Sequence, residues 1–369
     1  MKKDYQIKMK KDSQISRDLL EESYSDLWFT VKDKLAIKSL VVNFMPSWWN
    51  KNYKVSFGER YFFNPDYRIE VVRYMSRTIN QHFPDLHIGL KNPQPEVVLP
   101  SLGQATGVAS AGGEVFYPED NYPWSKHLSH EAIKKLKLPK NIEEVFPYNE
   151  RISQVKYLNN KLNKNVKPYL WENGVLNDAI LIMGDELLLD LASENNVSKN
   201  VLNYCYGMLV KVMGYNYKIK TSPSIISLNN CSTILIGPAR YEESLLSIDM
   251  DVCQHLYNLK QKVYLHHCGK FDHFIPSYRR IPHVNYLGIG FESNVKTALE
   301  AFPEAHVDYY FSTYLLLNGS RNEIIDKTNE ILESARGNWD RFSITVADID
   351  YGSLDENLLE VYECCKKAI

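Results

Sequence analysis

The chain has 369 residues, 44% of them hydrophobic, enough to bury a large core as one α/β barrel or as two smaller domains. Lys+Arg 43 against Asp+Glu 45 leaves a formal charge of -2, which excludes the basic footprint of a nucleic-acid binder or a polybasic membrane anchor. No run approaches the roughly 20 apolar residues of a membrane span, and no apolar segment follows the basic start "MKKDYQIKMKKD", so the expectation is a cytoplasmic protein without signal peptide or transmembrane helix.

In chain order, "IKSLVVNFM" (37–45) reads as a strand, followed by a long aromatic loop carrying Trp48 and Trp49. "YRIEVVRYMSRTINQHF" (67–83) then sets Ile69, Val72, Met75 and Ile79 on one helical face. The stretch 99–124, rich in Gly, Pro and Ser and ending in aromatics, reads as a second long loop, and loops of that length tend to be functional. From residue 224 the pattern becomes regular. "SIISLNN" (224–230), "VYLHHCG" (263–269), "VNYLGIG" (284–290), "HVDYYFS" (306–312) and "FSITV" (342–346) are strand candidates, each followed by helical spacing. Ser320 with Glu323 and Ser353 with Glu356 form capping-box patterns, and Gly337 closes the first of those helices. Alternating strands and helices with short connections predict a parallel α/β fold, either a barrel or a doubly wound sheet. The simplest organisation is a helical extension over 1–30 and one domain over 31–369.

The six cysteines are few and irregularly spaced, which argues for reduced thiols, so a special cysteine must be a ligand or a nucleophile. In the stretch "VYLHHCGKFDHF" (263–274), residues i and i+2 of a strand share a face, so His266 and Cys268 point together and His267 points away. An imidazole nitrogen and a thiolate there can reach one zinc ion, at about 2.0–2.1 Å and 2.3 Å. The alternatives are a buried cysteine beside a hydrogen-bonded histidine, or Cys268 as a nucleophile with a histidine base. Asn43, Glu114, Tyr117, Asn230 and Asp348 lie near predicted strand ends or in the long loop, where each can orient a substrate or simply cap an element. "GQATG" and "SAGGE" lack the spacing of a phosphate loop.

"HHCGKFDHF", "YLGIGFESNV" and the closing "VADIDYGSLDENLLEVYECCKK" resemble the last third of the uroporphyrinogen decarboxylase superfamily, which includes zinc- and corrinoid-dependent methyltransferases. "FMPSWWNKNYKVSFGERYFFNPDYRIE" and "ENGVLNDAILIMGDELLLDLAS" extend the resemblance over most of the chain. It implies a (β/α)8 TIM-type barrel with its site at the strand carboxyl ends. It also implies zinc held by His266, Cys268 and a later cysteine in the last strand. "SITVADID" has no cysteine, which leaves Asp348 or Asp350 as the candidate third ligand. Cys364 and Cys365 lie far along the final helix and read as a packing pair. "NFMPSWWNKNY" carries no arginine, so a porphyrinogen substrate is disfavoured, and Trp48 and Trp49 become candidate substrate contacts or plain loop packing. The expected activity is methyl transfer between a small methylated compound or a thiol and a corrinoid on a separate carrier protein. A metal-independent lyase and a non-catalytic ligand-binding barrel are the alternatives.

Overall fold

The computed structural model describes residues 27–31, 35–193, 196–220 and 225–367. Most of the expected helical extension, residues 1–26, lies outside the described residues, and its end is not helical: Trp28–Thr30 is a strand, β1. It pairs antiparallel with β2 (Ser39–Phe44), Phe29 opposite Val42. The reason is the free edge of β2, whose backbone donors and acceptors need partners where the parallel sheet stops.

Val115–Phe116 (β3) and Trp124–Ser125 (β4) form a small separate antiparallel pair in the long loop. The regular second half supplies β5 (Ile225–Asn229), β6 (Lys262–His267), β7 (Val284–Ile289), β8 (His306–Tyr310) and β9 (Phe342–Ile349). Their order across one 7-stranded sheet is β1-β2-β9-β8-β7-β6-β5. Every pairing from β2 onward is parallel. Apolar runs such as "SLVVNF", buried at every position, suit a sheet covered on both faces. Helices make the crossovers, among them Leu246–Asn258 before β6 and Arg321–Ser334 before β9. The latter opens with the expected capping box of Ser320 and Glu323. Cys364 and Cys365 are buried in the final helix, Asp355–Lys367, in keeping with packing.

Two details differ from the periodicity reading. The aromatic stretch after β2 is helical, Pro46–Tyr53 then Glu59–Phe63, with Pro46 at the first helical position, where its missing N–H costs nothing. Eight laddered strands do not form among the described residues. Two segments without regular secondary structure, near 98–100 and 167–173, have backbone groups met by side chains, and Tyr169, Trp171 and Asn173 of the second line the cavity. Arg68 Nε donates to the Val98 carbonyl (3.0 Å), Arg151 Nη1 to the Pro100 carbonyl (2.7 Å), and Asn216 bonds both the N–H (2.9 Å) and C=O (2.7 Å) of Leu170. Gly174 closes the approach to β5, since a Cβ there would stand 1.9 Å from the Asn229 carbonyl oxygen.

The inner face of this curved sheet lines a cavity of about 1250 Å³. Its wall is polar and aromatic at alternate strand positions: Tyr264 and His266 on β6, Asp308 and Tyr310 on β8, Ser343 and Thr345 on β9.

Candidate metal centre

The carboxyl ends of β5 and β6 meet at one corner of the cavity. Asn229 is the ladder partner of His266, so the turn leaving β5 must pass beside the end of β6. Asn230 shapes that turn. Its N–H donates to the His266 carbonyl (2.7 Å), its own carbonyl accepts from the Thr233 hydroxyl (2.6 Å), and its side-chain amide donates to Asp249 (2.6 Å). The residue between them, Cys231, is thereby delivered to His266 and Cys268. One ligand atom from each of the three lies within 4.8 Å of the others. Cys268 stands just past the last residue of β6 and is open to the cavity.

The electrostatics of the corner suit a cation. The hydrogen bond with Cys231, followed by burial, pushes the Cys268 thiol well above its ordinary range, while the Cys231 thiol is lowered, chiefly by the same bond. The two thiols interact directly, and a metal that displaced their protons would take both sulfurs. His266 Nδ1 is buried without a hydrogen-bond partner. Two thiols and an imidazole make a donor set that zinc accepts, so the residues fit the ion that the motif implied. Gly288 leaves room for the ring, since a Cβ there would come 2.7 Å from His266 Nδ1.

The family model of uroporphyrinogen decarboxylase (URO-D) matches residues 104–344, well over half the chain and including all three donors. The chain belongs to the URO-D family. Among solved structures, a methyltransferase from Methanosarcina mazei is similar to it with a TM-score of 0.62 and 13% sequence identity, over 95% of this chain and 96% of that one. At that identity the likeness speaks for the fold. No curated protein sequence matches.

In this URO-D member the expected site residues separate sharply. His266 and Cys268 come together, and Cys231 closes the cluster where Asp348 or Asp350 was expected. Asp348 lines the same cavity from β9, in a bulge. Val42 pairs with Val346 and Phe44 with Ile349, so β9 carries one extra residue, and Asp348 takes a left-handed φ of 54°. Burial raises its carboxyl pKa, and the field of His266 opposes that rise. Asp350 also lines the cavity but accepts from the Ser47 hydroxyl and the Tyr351 N–H (2.6 Å).

Asn43 is a lock rather than a substrate contact. Its Oδ1 accepts from the Asp348 N–H (3.1 Å), which the bulge leaves without a ladder partner, and its Nδ2 donates to the Leu27 carbonyl (3.1 Å). Asn230 is likewise spent on the turn. Trp48 and Trp49 do not reach the cavity, because their helix turns them into an aromatic core where Trp48 lies 4.5 Å from Phe44 and 4.9 Å from Trp49. Glu114 is exposed opposite Lys126 (3.6 Å). Tyr117, its pKa pushed up to about 12 by burial and then by Glu59, packs on Phe62 (5.0 Å). None of these six lines the cavity.

Several cavity residues were missed. Tyr264 donates to Asp308 (2.9 Å), Thr345 donates to the same carboxylate (2.8 Å), and Asn229 reaches Asn173 (3.2 Å). Behind Asn173 lies a buried carboxyl pair, Glu172 and Asp178, both raised by desolvation, with Tyr148 donating to Glu172. The available signal was the alternation of polar side chains along β6, β8 and β9. For Cys231 it was a cysteine directly after the strand that precedes "HHCG".

Proposed function

We propose that this protein is a zinc-dependent methyltransferase built on a (β/α)8-type barrel in which the segments near 98–100 and 167–173 take two strand places. The observation that carries the reading is the Cys231, His266 and Cys268 cluster at the carboxyl-terminal end of a large cavity, where parallel α/β folds put their chemistry. The three side chains would hold the ion and leave a fourth position toward the cavity, the arrangement of a catalytic rather than a structural zinc. Zinc in such a place stabilises a thiol acceptor as thiolate, or withdraws charge from the heteroatom of a methyl donor. The protein's own contribution is orientation: β5 and β6 fix the donors, and the Asp348 bulge aims a carboxylate at the same space.

The reaction type follows the methyltransferase whose fold this chain shares; the corrinoid on a separate carrier protein, as second reactant, is taken from the sequence resemblance alone. A porphyrinogen is disfavoured. Among the described residues the one arginine on the cavity wall, Arg341, is tied to the carbonyls of Leu299 (3.0 Å), Phe302 (3.1 Å) and Ala305 (2.9 Å), so beside Lys38 and Lys262 no free guanidinium fork meets a ring of carboxylates. The test is metal analysis of reduced protein expressed with zinc, then a spectroscopic assay of the cobalt state with panels of methylated donors and thiol acceptors. About one zinc per chain and methyl transfer in either direction are expected. Absence of zinc, or turnover of a carboxylated substrate without methyl transfer, would overturn the reading in favour of a lyase.

A further inference from the structure

The two ends of the cavity differ in charge. At or just before the amino ends of the strands, Lys38, Lys262 and Arg341 are accompanied by Glu304 and Asp340, so charges of both signs meet there. Lys262 is four residues from His266 on the same strand, about 13 Å at 3.3 Å per residue. Around His266 the charged groups are acids: Asp308 and Asp348 both line the cavity and both feel the field of that histidine. Asp308 is held by neutral donors, the Tyr264 (2.9 Å) and Thr345 (2.8 Å) hydroxyls. Asp348 has its backbone N–H fixed by Asn43 (3.1 Å) and its carboxylate open to the cavity. Neither carboxylate has a lysine or arginine partner among the described residues.

Aromatic rings accompany both acids. Tyr310 lies 4.5 Å from the His266 ring and its hydroxyl is 3.2 Å from that of Tyr264, while Tyr122 bonds Asn43 (3.4 Å) beside Asp348. Two thiolates would cancel the charge of a divalent ion, which leaves Asp308 and Asp348 as the acids of this end of the cavity; burial raises the pKa of both, and a cation beside them would favour their ionised form. Carboxylates without a basic partner beside aromatic rings favour an organic cation and repel an anion.

We infer that the methyl-bearing substrate is a small organic cation, a methylated ammonium or sulfonium, held against Asp308 and Asp348 and the rings of Tyr122, Tyr264 and Tyr310. This rests on the methyltransferase reading and names its substrate class. The balance is simple: the cation gives up CH3+ to the corrinoid cobalt or to a thiolate that zinc would hold, and the carbon–heteroatom electron pair stays on the leaving group, which departs as a neutral amine or thioether. An ammonium offers zinc no lone pair, so with that donor the ion would act on the thiol side alone.

The test is calorimetric titration of the reduced, metal-free full chain with tetramethylammonium, its near-isosteric neutral counterpart tert-butanol, and methanesulfonate. Tetramethylammonium should bind at least about tenfold more tightly than tert-butanol, the scale of a desolvated cation–aromatic contact, and methanesulfonate should not compete. Asp348→Asn and Asp308→Asn should each weaken the cation about fivefold or more, while Glu300→Gln, an exposed acid on another surface, should not. Asparagine tolerates the left-handed backbone at 348, so Asp348→Asn stays folded, as circular dichroism will check. Equal binding of cation and tert-butanol, no binding of the cation, or full affinity in both Asp variants would overturn the inference. Zinc content and methyl transfer are read on separate aliquots: a protein that holds zinc and moves a methyl group but ignores the cation overturns this inference alone, and one that selects the cation but binds no zinc overturns only the metal reading.

Discussion

His266 and His267 are adjacent on one strand and serve opposite ends. His266 faces the cavity and joins Cys231 and Cys268, although each of the two histidines has one buried ring nitrogen without a hydrogen-bond partner, Nδ1 in His266 and Nε2 in His267. His267 faces outward into the layer between sheet and helices, fully buried, with Nδ1 2.9 Å from the Tyr278 hydroxyl and 3.2 Å from that of Thr233. Burial, reinforced by the neighbouring His266, lowers its pKa to about 4, so at neutral pH it is an uncharged hydrogen-bonding block in the core. The same contrast separates Trp48 and Trp49, packed in the outer layer, from the tyrosines on the inner wall. Which face of the sheet a side chain occupies decides its role here more than its chemical type does.

If that contrast holds, damage outside should cost stability without touching the metal, and damage inside should do the reverse. The largest effect is expected from Trp49→Ala, which empties part of the aromatic core and should cost about 3–5 kcal/mol in denaturant unfolding with zinc per chain unchanged. Loss of zinc in that variant would break the division. Next is Asp249, buried beneath the turn and bonded to Tyr241 (2.6 Å) and Asn230 (2.6 Å), its pKa raised by burial to about 6. An acid with a raised pKa is protonated in the folded state and ionised in the unfolded state between its ordinary value and about 6. Stability should therefore fall as pH rises through roughly 4 to 6, then level off, by on the order of 3 kcal/mol relative to Asp249→Asn. A wild-type curve parallel to that of the variant would refute it.

Cys231→Ser should cost the metal-free chain less than about 1 kcal/mol, yet reduce bound zinc from about one per chain toward none, because it removes a thiolate from a site that has only two. Zinc retained at full stoichiometry would return the third-ligand role to a carboxylate. The smallest effect is expected from Asp348→Asn, within about 0.5 kcal/mol and with normal zinc content, since its bulge backbone suits asparagine equally well.

Much of the second half was legible from sequence. "VNYLGIG" and "HVDYYFS" became β7 and β8 within a residue or two, because parallel strands flanked by helices must be short and apolar. The shared direction of His266 and Cys268 came from the two-residue period of a strand. The bulge at Asp348 left no such mark, since one extra residue in β9 is visible only against β2. The segments near 98–100 and 167–173 lack a strand pattern because side chains of Arg68, Arg151 and Asn216, remote in sequence, meet their backbone groups.

The sequence by itself determined the alternation of strands and helices, the pairing of His266 with Cys268 and the near-neutral charge balance, all of which follow from local period and composition. Only the tertiary structure decided that Cys231 completes the donor set, because the ladder sets Asn229 beside His266 and two successive strands, joined by helices, deliver their ends to one corner. It also decided that Trp48 and Trp49 face away. The direction in which a helix turns its rings depends on what packs against it, here Phe44 and Phe83, and that is a property of the assembled core rather than of the eight residues from Pro46 to Tyr53.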